Sequence, residues 1–134
     1  MKWLAGAILA VSLASCAYNG PSLLGEWSST HEQSGPNTFT FRPSGSATWT
    51  FDAPEVGTFE LMYEINYRTR PHLIELSGFD RGVLAGRVLY GLLEFLDDNR
   101  FRFAADAGEP GDDDGRPRDF TDAQVYTRER TPPE

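Results

Sequence analysis

Lysine is nearly missing from this sequence of 134 residues: Lys2 is the only one, so arginine supplies every other strong base. With a formal net charge of −8, the chain has no basic cluster with which to neutralise a phosphate backbone, which excludes nucleic acid as a partner. The same balance argues against docking on anionic lipid by charge alone. Cysteine occurs once, at Cys16, so a disulfide within the chain is impossible. Only two histidines are present, His31 and His72, and neither has metal-ligand spacing. Both read as polar loop or surface residues. No apolar run reaches the about 20 residues that a spanning helix needs. There is no G-x-S-x-G elbow and no glycine-rich phosphate loop. These absences leave no nucleophile–base pair, metal cluster or cofactor motif on which to build an enzyme.

What is present begins with a secretory pattern. Met1-Lys2 is a short positive start, Trp3 to Leu13 is apolar, and small residues follow up to the cysteine. The stretch Leu13-Ala14-Ser15-Cys16 resembles the lipobox of bacterial lipoproteins. The resemblance implies a signal peptide over 1–15, cleavage before Cys16, and a diacylglyceryl group on the Cys16 thiol, often with a further acyl chain on the new amino group. Two or three chains make a stable anchor, at about 0.8 kcal/mol per buried CH₂. The chain is then expected in the cell envelope. Ala17 after the cysteine resembles the outer-membrane sorting pattern of enteric bacteria, which implies an outer-membrane protein facing the periplasm. Residues 18–24 read as a tether of at most about 25 Å.

The rest has a globular composition, 40% hydrophobic and 13% aromatic, and its patterning has period two. Thr38 to Arg42, Ala47 to Phe51, Thr58 to Tyr67, His72 to Ser77, Val88 to Leu96, a return strand through Phe101 and Phe103, and Gln124 to Arg128 read as strands. Turn signals such as Pro43-Ser44-Gly45-Ser46 and Asp97-Asp98-Asn99 separate them. The clearest strand puts Phe59, Leu61, Tyr63, Ile65 and Tyr67 on one face and Glu60, Met62, Glu64 and Asn66 on the other. Seven or eight short strands with hairpin connections predict an all-β antiparallel meander over 25–128, closed into a small barrel or left incomplete. Residues 129–134 read as a flexible tail.

Gly25-Glu26-Trp27 resembles the Gly-x-Trp that opens the lipocalin barrel. In that family the tryptophan closes one barrel end and an arginine of the last strand packs over it; Trp27 and Arg128 stand in those places. Leu24-Gly25-Glu26-Trp27, Phe41-Arg42-Pro43-Ser44-Gly45 before Trp49, Pro71-His72-Leu73-Ile74-Glu75-Leu76, Tyr90-Gly91-Leu92-Leu93-Glu94-Phe95, and Arg116-Pro117 ahead of Phe120 resemble the small lipocalin-like domains common in bacterial lipoproteins. The chain is shorter than ligand-carrying lipocalins.

Other candidate chemistry has a plainer reading. Glu60 and Glu64 would stand about 13 Å apart on a strand, wider than the roughly 5–9.5 Å of a glycosidase pair. Asp112-Asp113-Asp114-Gly115 lacks the alternation and the final glutamate of a calcium loop, since the twelfth position counted from Pro110 is Thr121. It reads as a solvated turn. Two functions from different classes stay open. In one, Trp49, Phe59, Tyr63, Tyr90 and Phe103 line a pocket for a small apolar ligand. In the other, the same rings fill the core and an envelope protein binds outside. Val88 to Leu96 is apolar on both faces, so its outer face is either covered, by Gly78 to Gly86 or by the tether, or forms an interaction surface.

Overall fold

The computed structural model describes residues 18–31 and 35–130. The signal-peptide and lipidation readings on 1–15 and Cys16, and residues 131–134 of the tail, lie outside the described residues. Eight strands follow one another: β1 Gly25–His31, β2 Gly35–Phe41, β3 Ser46–Phe51, β4 Thr58–Asn66, β5 His72–Ser77, β6 Val88–Asp97, β7 Arg100–Gly108 and β8 Gln124–Arg130. Each pairs antiparallel with the next, and β8 pairs with β1, so the sheet is a closed barrel. Closure sets Trp27 opposite Arg128 and Ser28 opposite Thr127. The chain is all-β, consistent with a lipocalin-like barrel, and no sheet edge is left open.

Alternation builds the interior. Trp27, Phe39, Phe41, Trp49, Phe59, Leu61, Ile74, Leu76, Leu93, Phe101, Phe103 and Tyr126 are buried in a single cluster. Their strand neighbours Thr48, Thr50, Glu60 and Glu75 face outward. Glu60 and Glu64 stand on the outer face of β4, both exposed. Interior volume is filled with rings, and Gly91 is where that filling forces the sequence. A Cβ at Gly91 would lie 2.7 Å from the Phe103 ring and 3.0 Å from the Ala104 carbonyl, so only glycine lets Phe103 approach β6.

Several boundaries differ from the sequence reading. β7 runs on to Gly108 because Ala104, Ala105 and Ala107 continue the ladder, although small residues give no visible alternation. β8 continues to Arg130, which pairs with Glu26, so 129 and 130 are strand and not tail. Residues 18–24 are more than a tether: Leu23 is fully buried in the core. His31 is the last residue of β1. His72 is not a surface residue; it is 5% exposed and faces inward at the start of β5.

The cover over β6 is also settled. Tyr90 and Leu92 lie on its outer face and are buried. The chain segment 109–123, between β7 and β8, lies over them, in place of the Gly78–Gly86 connection or the tether. Tyr90 donates its hydroxyl proton to the Glu109 carbonyl at 2.8 Å. Arg116 donates to the carbonyls of Ile74 at 3.1 Å and Gly91 at 2.6 Å, and its guanidinium lies 5.4 Å from the Tyr90 ring. Arg102 stacks 4.0 Å from the Phe120 ring. The outer face of β6 is therefore a small second core and not an exposed interaction surface.

Candidate functional site

The two barrel ends are built differently. At one end the chain enters, and the β2–β3, β4–β5 and β6–β7 turns gather there. The Arg128 guanidinium lies 4.1 Å from the Trp27 ring centroid. Arg128 also donates to the carbonyls of Leu24 at 2.8 Å, Ser22 at 3.0 Å and Asp98 at 3.1 Å, tying the entering segment to β8 and to the β6–β7 turn. The Trp27 indole N–H donates to the Leu23 carbonyl at 2.8 Å, and the Leu23 N–H donates to the Tyr67 hydroxyl at 3.1 Å. The Trp27 indole, the Leu23 amide and the Arg128 guanidinium thus all have partners. Phe95 and Phe101 close in on Trp27, at 6.2 and 4.7 Å between ring centroids. His72 packs edge-on against Tyr67 and Phe95, and its Nδ1 donates to the Thr69 carbonyl at 3.0 Å when the ring is neutral. Burial holds its pKa below the ordinary histidine value. This end is closed over Trp27, and beside the closure a cavity of about 400 Å³, open to solvent, lies between Tyr18, Arg70, His72, Glu94 and Phe95.

The middle of the barrel is filled around one polar residue. Asn37 is buried, and its Oδ1 accepts from the Tyr126 hydroxyl at 2.6 Å and the Trp49 indole at 2.9 Å. Burial pushes the Tyr126 phenol far above its usual range, so it is a permanent donor. Phe39 stacks on Trp49 at 4.3 Å and lies edge-on to Phe103 at 6.0 Å. The sequence reading missed Asn37, because an asparagine at a strand start carries no mark of an inward direction.

The other end is a mouth, formed by the 52–57, 78–87 and 109–123 connections. Here a cavity of about 400 Å³ opens to solvent on one side. Trp49, Phe51 and Phe59 come from the strands, and Val56, Val83 and Leu84 from two of the connections. Buried Phe79 packs behind, edge-on to Phe59 at 5.3 Å. Among the described residues, the ionisable groups lining it are Glu55 and Arg81. Arg81 lies 4.2 Å over the Phe59 ring and donates to the carbonyls of Val56 at 2.6 Å and Thr58 at 2.8 Å, with Asp80 2.9 Å from its other nitrogen. Arg81 is therefore a strut that pins the 78–87 connection to the mouth. Val83, at the tip of a single 3₁₀ turn over Gly82–Leu84, is 89% exposed. An apolar wall with two rim charges can hold an apolar molecule.

Of the residues expected to line a pocket, Trp49 and Phe59 do so. Phe103 is inside the barrel but buried among rings in the middle. Tyr63 faces inward near the closed end, where its hydroxyl donates to the Arg42 carbonyl at 2.8 Å. Tyr90 is a correction: it points outward from β6 into the second core, since its register sets it on the face opposite to Leu89, Gly91 and Leu93. Val56, Arg81, Val83 and Leu84 escaped the sequence reading because they lie in connections without periodicity. Among the described residues, no group of three or more His, Cys, Asp or Glu side chains could hold a metal ion, and Asp112, Asp113 and Asp114 are exposed. No helix of the described residues is long and apolar enough to cross a membrane. Comparison with protein-family profiles, curated proteins and solved structures finds no match to this chain.

Proposed function

We propose that this chain is a lipid-anchored lipoprotein of the bacterial envelope whose lipocalin-like barrel holds a small apolar ligand, or the apolar end of a longer one, in its mouth. The cavity of about 400 Å³ carries the reading. It falls within the range of about 300–1,000 Å³ usual for small-molecule sites, and its walls are aromatic and aliphatic. Three of its rings stand on a closed sheet, which makes that wall rigid. The filled middle limits the ligand to the depth of the mouth, so long ligands would extend into solvent. The same filled middle favours a second reading, an envelope structural or interaction protein with no small-molecule ligand.

The experiment is fluorescence titration with a neutral apolar dye such as N-phenylnaphthylamine. Trp49 lines the mouth and Trp27 is sealed in the closed end, so the two report on different places. Saturable quenching of tryptophan emission is expected in Trp27→Phe, with little in Trp49→Phe, and Leu84→Arg should abolish it. Quenching without saturation, or unchanged by Leu84→Arg, favours the second reading. The anchor is tested separately: Cys16→Ser should end labelling by a fatty-acid probe and leave an unprocessed precursor.

A further inference from the structure

The entering chain and two exposed arginines meet at one turn of the closed end. Tyr18 stacks on Tyr67 at 4.5 Å, and its hydroxyl donates to the Pro21 carbonyl at 2.8 Å. Only Ala17 separates Tyr18 from Cys16. At about 3.5 Å per residue, lipid on Cys16 would be rooted within about 7 Å of that pinned residue. Tyr67 begins the β4–β5 turn, and this turn carries Arg68 and Arg70, both exposed. The Arg68 guanidinium has no partner among the described residues. Arg70 donates through Nη1 to the carbonyls of Tyr67 and Thr69, with His72 Nδ1 at 3.5 Å, and lies 5.5 Å from the Tyr18 ring; its Nε and Nη2 have no partner among the described residues.

Seven of the chain's acids stand at the mouth, while Glu26, Asp97, Asp98 and Glu129 share the closed end with the turn, Arg100 holding Asp97 at 3.0 Å. Asp52, Glu55, Asp80, Glu109 and the Asp112–Asp114 run lie on connections of the mouth. β4 alone has nine residues, about 30 Å at 3.3 Å per residue, against a screening length of about 8 Å at physiological salt. The mouth's charge is not felt at the turn. The nearest carboxylates on neighbouring strands are Glu64 and Glu94, and Arg102 holds Glu94 at 2.7 Å.

We propose that the β4–β5 turn is a seat for anionic phospholipid headgroups, with Arg68 and Arg70 holding the closed end against the bilayer and the mouth facing away from it. The inference rests on the lipid-anchor reading for its geometry. A root this short keeps the two arginines at high local concentration against the headgroups, so a contact too weak to recruit the free protein suffices to orient the anchored one. An arginine at an anionic surface contributes about 1 kcal/mol, a factor of about five.

The test uses the full chain in vesicles of phosphatidylethanolamine with phosphatidylglycerol, and in vesicles of phosphatidylcholine alone. Once Cys16 is lipidated, an introduced cysteine is a unique labelling site. Ser44→Cys marks the closed end and Val83→Cys marks the mouth. With a headgroup nitroxide as quencher, the closed-end label should be quenched several-fold more than the mouth label in the anionic vesicles. Arg68→Gln should reduce that preference about fivefold, as should added salt, with an unchanged melting temperature. Equal quenching of both labels, or a preference indifferent to lipid charge, overturns the seat while leaving the anchor intact. In a sample whose Cys16 takes no fatty-acid probe, the anchor reading has failed. The seat, which needs the anchor for its local concentration, falls with it, whereas equal quenching in a lipidated sample overturns the seat alone.

Discussion

Trp27 and Arg128 hold the closed end through different forces that share one geometry. The indole is fully buried and the guanidinium lies over it at 4.1 Å, while the guanidinium's N–H groups tie three segments through their carbonyls. Trp27→Ala is expected to cost about 3–5 kcal/mol. Arg128→Ala should cost less, losing a contact worth about 0.5–2 kcal/mol together with its hydrogen bonds. Because the side chains touch, the two losses should not add in a double-mutant cycle read by urea denaturation; additive losses would show the stacking to be worthless. His72 gives this end a pH dependence. The folded protein keeps His72 neutral below the pH at which an unfolded histidine, with a pKa of about 6.5, takes up its proton. In that window the unfolded chain binds more protons, so stability falls as pH falls. The melting temperature should decline from neutral pH toward pH 5, and His72→Gln should flatten the decline. Residue-scale features were legible where a residue type is rare and its position fixed, as with the Gly-x-Trp opening and the last-strand arginine. His72 and Asn37 were not, because a polar side chain turned inward at a strand start looks the same in sequence as one turned out.

At the scale of elements, legibility followed the contrast between the two faces of a strand. β4 separates Phe59 and Leu61 from Glu60 and Glu64, and its limits were read almost to the residue. β7 loses that contrast in its alanines and was read short. β6 is apolar on both sides, which left its outer face to be read as either covered or an interaction surface. The segment that covers that face, 109–123, is rich in Asp, Gly and Pro, and its hold comes from single long side chains, Arg116 above all, which have no period to detect. The consequence is a definite result for two substitutions. Leu89 faces the barrel and Leu92 faces the second core, and both are buried. Leu89→Asp and Leu92→Asp should each unfold the domain, because each buries an unpaired charge. A Leu92→Asp protein melting near the wild-type temperature would mean that the 109–123 segment is not seated on β6 in solution.

For the molecule as a whole, the division into a sealed end and an acidic mouth decides what the cavity can accept. Seven or eight strands with hairpin-short connections made a small barrel legible, closed or incomplete, because closure is how a short meander removes its edges. The mouth was not legible, since its walls are completed by connections whose sequence shows only turn residues. Its selectivity follows from charge. Arg81 is the one cation lining the cavity among the described residues, and it is already bound by two carbonyls and Asp80. Glu55 stands on the rim, and Asp52 and Asp80 are exposed on the same connections. An anionic ligand would approach uncompensated negative charge, whereas a neutral one would meet only apolar wall. A neutral naphthylamine dye should therefore bind more tightly than an anionic anilinonaphthalene sulfonate of similar ring area. The expected gap is about fivefold, the equivalent of about 1 kcal/mol for one exposed like-charge contact in water. Glu55→Gln should narrow the gap by raising affinity for the anion alone, and salt should do the same by screening. If the anion binds more tightly and loses that advantage in Arg81→Gln, then Arg81 is a ligand-pairing group and not a strut, and the cavity selects apolar anions instead.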